Sequence, residues 1–251
     1  MFDSGDLPVY NYNFINPDCA MDKQPNLHLH EEILLLALKD QKGTIASSAS
    51  MYQYIVGGAI LAELLLQGRI KIDESSRRKP VDIVSTKLTG DSVLDECLKK
   101  VSEARRRASV QTWVTRFAGV KHLKHRVAAQ LCRKNILKED EDKVLLFFTR
   151  KIYPEIHHEP EQEIINRLKK AIFGDSEELD PRTVILLSLA HKTDLLKLIF
   201  DRKKLKERKK RIERIVNGEV VGKAASEAIA AVHAAIVAAA VIPAVVSAGS
   251  H

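Results

Sequence analysis

Between Ile55 and Leu66 the chain reads IVGGAILAELLL, a run in which Glu63 is the one charged residue. Ile55, Ala59, Ala62 and Leu66 form a stripe at helical spacing, and Ile60, Leu61, Leu64 and Leu65 widen it until most of the helix surface is apolar. Such a helix belongs inside a fold and not on its surface. Gly57 and Gly58 let a neighbour approach closely, and Gly68 ends the helix as a C-terminal glycine cap does. Ile70 and Ile72 then alternate with Lys71 and Asp73 in the pattern of a half-buried strand. Upstream, Leu29, Ile33, Leu36 and Ala37 mark a first helix, with Glu31 and Glu32 in the opening turn where the helix dipole favours carboxylates. The stretch Lys39 to Gly43 stops it.

Residues 1–27 hold Pro8, Pro17 and Pro25 with little periodic pattern and read as an irregular arm; residues 28–251 read as a single domain. The opening MFDSGDLPVYNYNF lacks the basic start and apolar core of a secretory signal. Val81 to Leu88 is the expected hairpin partner of the Ile70 strand. Asp91 is a candidate N-cap for a helix with Leu94, Leu98 and Val101 facing inward. Further helices are predicted from Val110 to Phe117, around Trp113, and from Lys121 to Arg133, where Leu123, Val127 and Leu131 share a face. Glu139 to Asp142 (EDED) reads as a turn, Val144 to Phe148 (VLLFF) as a strand, and Lys151 to Tyr153 as its return. An internal echo joins Ala62-x-Leu64, Gly68, Ile70 to Ala129-x-Leu131, Asn135, Ile136-Leu137: helix, residue tolerant of the left-handed region, strand. The last hundred residues read as helices. The uncharged run Ala228 to Ala248 is long enough to span a bilayer, but its alanine content, His233 and Pro243 favour a buried terminal helix.

At 251 residues and 45% hydrophobic content the chain can bury a sizeable core. Its formal net charge of +7 equals the charge of one segment, Arg202 to Arg214 (RKKLKERKKRIER), with nine basic and two acidic residues. That segment is either a solvated helix or an electrostatic contact for nucleic acid or anionic lipid. Three widely spaced cysteines, Cys19, Cys97 and Cys132, fit a reducing compartment better than a disulfide framework or a zinc ribbon.

No residue pattern points to catalysis: the chain has no Gly-x-Ser-x-Gly elbow, phosphate-binding glycine loop or Cys-x-x-Cys, so neither an enzyme nor a cofactor is expected. His28-x-His30-Glu31-Glu32 carries metal-ligand residue types, but its histidines are two apart at a helix start and read as capping and surface residues; no metal is expected there. His157-His158-Glu159 reads the same way. Lys121 and Lys124, three apart, are neighbours on a helix and suited to hold a phosphate, or else belong to a solvated face.

Taken together, EEILLLALKD (Glu31 to Asp40), AELLLQGRI (Ala62 to Ile70), RRK (Arg77 to Lys79), TGDSVLDECLKKV (Thr89 to Val101), VQTW (Val110 to Trp113), VLLF (Val144 to Phe147) and LSLAHKTDLL (Leu187 to Leu196) resemble the Golgi phosphoprotein 3 family, which includes a yeast vacuolar-sorting counterpart. The resemblance runs from about Leu29 to the C-terminus. It implies a mainly α fold: a buried helical core ringed by amphipathic helices, with one or two short β-hairpins. It also implies a cytoplasmic, non-catalytic peripheral membrane protein, at the cytosolic face of the Golgi in a eukaryote, that binds phosphatidylinositol 4-phosphate or another anionic lipid and sorts membrane-protein clients.

By spacing, the tryptophan and first arginine of the family's lipid pocket fall on Ser48 and Gly57, and its two later arginines on Lys121 and Lys124. Arg126 and the Arg77-Arg78-Lys79 loop are candidate supports for the head group. The family's hairpin corresponds to Val144 through Pro154, whose Leu145, Leu146, Phe147 and Phe148 would enter a membrane interface or join a second copy of the chain. Two readings compete with lipid binding. One is a nucleic-acid binder, because helix, turn, helix and hairpin also describe a winged helix, though the second helix is too apolar to read a groove. The other is a lipid-independent interaction scaffold.

Overall fold

The computed structural model describes residues 26–39, 43–45, 52–144, 148–192 and 194–220. At its centre α1 (Leu29–Ala37) packs on α2 (Tyr52–Leu66). Every residue of α1 is buried, and α2 is buried without a break from Ile55 to Leu64. The all-round apolar run therefore has the enclosed position its composition demands, and no face of it is left to enter a nucleic-acid groove. Burial of Ile55, Val56, Ile60, Leu61 and Leu64 contributes about 10 kcal/mol gross. The link between the two helices includes a two-residue antiparallel pair, β1 (Leu38–Lys39) with β2 (Thr44–Ile45).

Five helices enclose this pair. α2 contacts α3 (Ser92–Ser102), α4 (Val110–Ala118) and α7 (Pro181–Lys192), while α1 contacts α5 (Leu123–Arg133), α6 (Glu159–Phe173) and α7. The most extensive contact is α2 with α4, and Gly57 is the reason. A Cβ there would lie 2.5 Å from the Val114 carbonyl oxygen, so the two backbones touch where a side chain would otherwise stand. Asp91 caps α3 as expected, accepting from the Val93 and Leu94 N–H groups at 2.8 and 2.9 Å. The short helices α8 (Leu196–Ile199), α9 (Arg202–Glu207) and α10 (Lys209–Val216) follow, α10 resting on α7. Buried apolar residues from Leu27 to Val220 form one connected cluster.

The internal echo is a shared local geometry. α2 ends with Gly68 at φ 61° and the Arg69 N–H donating to Leu64 O at 2.9 Å; α5 ends with Asn135 at φ 58° and the Ile136 N–H donating to Leu131 O at 3.0 Å. Both are Schellman closures, which need a residue in the left-handed region at that place. Each leads to a hairpin, β3 (Ile70–Ile72) with β4 (Val81–Ile83) and β5 (Asp140–Val144) with β6 (Phe148–Ile152), but the second begins at Asp140 and not at the expected Ile136-Leu137, where Leu137 makes an isolated bridge to Glu155.

The second hairpin corrects the sequence reading. The acidic EDED piece is mostly strand and not a turn, and VLLFF is not one continuous strand. Val144 pairs with Phe148, so Leu145, Leu146 and Phe147 connect β5 to β6 and lie outside the described residues. Charge complementarity selects this register. Asp142 accepts from Arg150 at 2.7 Å directly across the ladder, and Lys151 reaches Glu139 at 2.5 Å. Opposite charges facing each other stabilise a ribbon whose strands are largely exposed. Among the described residues no helix is long and apolar enough to cross a membrane; the Ala228 to Ala248 run, Ser48 and Cys19 lie outside them. Cys97 and Cys132 are free thiols.

Candidate functional site

The sequence predicts a helix beginning at Lys121, but α5 begins at Leu123, with His122 in the left-handed region at φ 54°. Burial of Leu123, Val127 and Leu131 fixes where the helix can start. Lys121 therefore stands in the turn before α5 and Lys124 in its first turn. They flank one helix start and are not a helical i, i+3 pair. Lys121 is exposed and Lys124 half-buried, and among the described residues neither has a carboxylate partner. Burial, and then the nearby Arg150 guanidinium, lowers the Lys124 pKa below the ordinary lysine value. An ammonium that has lost part of its water and gained no counter-charge is poised to accept an anion.

Two elements not singled out from the sequence complete the surroundings. His125 shares a hydrogen bond of 2.8 Å between Nδ1 and the Tyr153 hydroxyl, which ties α5 to the end of β6. Burial depresses the His125 pKa, helped by the charges of Lys124 and Lys151. Burial, with Glu139, pushes the Tyr153 phenol up to about 12. Arg150 and Lys151 bring the hairpin's cations to the same place, although each is already paired with a carboxylate. The spacing of Tyr153 to His125 carries no sequence signal, because only the packing of the hairpin on α5 brings them together.

The other proposed supports are placed differently. Arg126 donates to Glu96, and to the Ser92 carbonyl at 3.2 Å, so it braces α5 against α3. Arg77 and Arg78 are exposed in the loop between β3 and β4, whose base Arg107 closes by binding Asp73 and Asp82 at 2.7 and 2.6 Å. No hydrogen bond or ion pair among the described residues joins them to Lys121 or Lys124. Phe148 opens β6. Gly57 has no room for any side chain, so the position that the resemblance matches to the family's first pocket arginine is given over to helix packing here.

His28 and His30 are not the surface residues that the sequence suggests. His30 is fully buried, with Nε2 3.2 Å from Asp91 and 3.4 Å from Gln130. His28 caps α1, its backbone N–H donating to Glu31 at 2.8 Å, and its ring lies 3.3 Å from Glu63. Glu63 also accepts from the Leu29 N–H at 2.8 Å and from Arg182 at 3.0 Å. Glu32 takes Arg167 at 2.8 Å and Glu31 takes Lys134 at 2.6 Å. The signal for this network is the single acid inside the apolar α2 run, since a carboxylate enclosed there requires a cation from elsewhere. A cleft of about 690 Å³ opens beside it, lined by Glu32, Arg167 and Arg182, whose charges are already matched in pairs. Among the described residues no histidine, cysteine or carboxylate group is arranged to hold a metal ion.

The family model described as Golgi phosphoprotein 3 (GPP34) matches residues 29–232. The chain is also similar to Vacuolar protein sorting-associated protein 74 of Schizosaccharomyces pombe (strain 972 / ATCC 24843), 32% identical over 144 residues. That match covers 50% of this chain and 42% of the relative, so it spans less than half of the relative's length. Because the family model covers most of the sequence, from the start of α1 past the end of α10, the chain belongs to the Golgi phosphoprotein 3 (GPP34) family.

Proposed function

We propose that this protein is a non-catalytic peripheral membrane protein that binds phosphoinositide head groups, phosphatidylinositol 4-phosphate among them, and acts as an adaptor for sorting membrane proteins. In a eukaryotic cell its place is the cytosolic face of the Golgi. The observation that carries the reading is the pair Lys121 and Lys124 at the start of α5, two cations without carboxylate partners among the described residues, beside the base of an exposed ribbon. The family membership supports the lipid, and the vacuolar-sorting name of the fission-yeast relative supports the sorting role.

In this reading the head-group phosphate lies between Lys121 and Lys124, and the apolar connection Leu145, Leu146, Phe147 with Phe148 enters the membrane interface or meets a second copy. Lysine is a point charge without the two-pronged donor geometry of arginine, so other anionic lipids compete with the phosphoinositide. Vesicle flotation tests it. The variant carrying Lys121→Glu and Lys124→Glu is expected to lose at least about tenfold in binding to phosphatidylinositol 4-phosphate vesicles. Binding at the parental level by that variant refutes the site.

A further inference from the structure

The basic segment Arg202 to Arg214 divides into two faces with different work. On one face Arg208 donates to the Phe173 carbonyl at 3.0 Å, and Arg211 donates to the Ala171 and Ser176 carbonyls at 2.9 and 2.7 Å. These are the last carbonyls of α6 and the turn beyond it, which lack helical partners and carry the negative end of the helix dipole. Arg214 adds an ion pair with Glu177 at 2.9 Å. This face is structural: it fastens α10 to the end of α6.

The other face borders a cleft of about 740 Å³ between α8, α9 and α10. Its apolar side consists of Leu196 and Ile212, both buried, the half-buried Leu205, and Leu198, which is 47% exposed. Its charged side carries Lys197, Arg202, Lys206 and Lys209 against one carboxylate, Asp194. Lys197 is paired with Asp194 at 2.7 Å, and Lys209 lies 3.7 Å from Glu213. Arg202 and Lys206 have no carboxylate partner among the described residues. Four apart on α9, they fall on one face of the helix.

A volume of this size holds a small ligand. Its walls are amphiphilic and unbalanced in one sign only: apolar leucine and isoleucine surface lies next to two unmatched cations. A bare anion would leave the exposed Leu198 in water, and an apolar ligand would leave Arg202 and Lys206 unanswered. We infer that the α8–α10 cleft binds an anionic phospholipid, its phosphate held by Arg202 and Lys206 and its glycerol and upper acyl region against Leu196, Leu198, Leu205 and Ile212. This gives the protein a second lipid contact, separate in sequence and in residues from Lys121 and Lys124, and it does not depend on the phosphoinositide reading.

The test uses the full chain and phosphatidylcholine vesicles containing phosphatidylserine and no phosphoinositide. The parent is expected to sediment with them at low salt and to be released as salt rises. Arg202→Glu with Lys206→Glu is expected to weaken this binding at least about tenfold. Leu198→Ser is expected to weaken it severalfold. Lys121→Glu with Lys124→Glu is expected to weaken this binding less than Arg202→Glu with Lys206→Glu does, and on phosphoinositide vesicles that order is expected to reverse, so failure of one site is distinguishable from failure of the other. Arg202, Lys206 and Leu198 are exposed, and unchanged melting of the variants confirms that folding is not the cause. Parental binding by the Arg202, Lys206 variant overturns the proposal. So does a parental result for Leu198→Ser combined with full competition by inorganic phosphate, which would mark a bare anion site.

Discussion

Arg182 of α7 holds Glu63 of α2 with two guanidinium nitrogens, at 3.0 and 3.3 Å, across 119 residues of sequence. Glu63 is only 3% exposed and sits in a helix that is buried without a break from Ile55 to Leu64, so this contact makes the burial of that helix tolerable. Arg182 also donates to the Leu27 carbonyl, where the chain enters α1. Removing the guanidinium takes from a buried carboxylate its permanently charged partner and leaves it the Leu29 N–H, the Gln67 amide and the His28 ring. Arg182→Ala is expected to cost about 3–5 kcal/mol in urea unfolding. The double change Arg182→Met with Glu63→Leu should recover much of that loss, because the Arg182–Glu63 pair is then removed as a unit.

The two carboxylates near Arg182 answer pH in opposite directions. Burial would raise the Glu63 pKa, but the hydrogen bond from His28 and the charge of Arg182 outweigh it and hold it well below the usual range. For Asp91, burial is likewise outweighed, here by His30. Stability from these two is present above their ordinary values of 4.5 and 3.8 and is lost as pH falls through their lower folded values. Glu32 is raised instead, because burial outweighs Arg167 and Arg182, so its ionisation costs stability as pH rises from 4.5 through its folded value. Unfolding free energies from urea titration at neutral pH should fall for Glu63→Gln, by about 2 kcal/mol, and should hold or rise for Glu32→Gln. Burial opposes protonation of His28, but Glu63 outweighs it and raises the pKa above 6.5. His28 therefore contributes stability below 6.5 and loses that contribution as pH climbs through its folded pKa.

Gly57 tests the packing of α2 on α4. With a Cβ at 2.5 Å from Val114 O and 3.0 Å from Ala118 N, the obstacle is backbone and cannot rotate away. Gly57→Ala is expected to cost about 1–3 kcal/mol by thermal denaturation. Gly57→Arg, which installs the residue type that the resemblance assigns to the family's lipid pocket, should unfold the protein and gain no head-group binding.

Asn135 tests the second helix closure. Its φ of 58° suits asparagine and glycine and opposes a branched side chain. Asn135→Gly should change the melting free energy by no more than about 0.3 kcal/mol, and Asn135→Val should lower it by about 1–2 kcal/mol.

Much of the fold is legible because its signals are local. The Gly68 closure, the Asp91 cap, the helix around Trp113 and the Leu123, Val127, Leu131 stripe of α5 are each written in residues a few places apart. The candidate site is legible only in part. Lys121 and Lys124 stand out by type and spacing, but the helix start at Leu123, the commitment of Arg126 to Glu96 and the arrival of Tyr153 at His125 depend on how α3, α5 and the second hairpin pack. The hairpin misleads because VLLFF has the composition of a strand, while cross-strand pairing of Asp142 with Arg150 decides the register.

By itself, then, the sequence determined where most of the helices lie, which of them is enclosed, and where its clearest chain reversals fall, because periodicity, caps and left-handed residues act within a few positions. Only the tertiary structure decided which charges meet. Arg182 finds Glu63, His30 finds Asp91, and Arg208 and Arg211 find the end of α6, while Arg202 and Lys206 meet no carboxylate among the described residues. The physical reason is that desolvation of a charge, and hence its need for a partner, is a property of the packed interior and has no period along the chain.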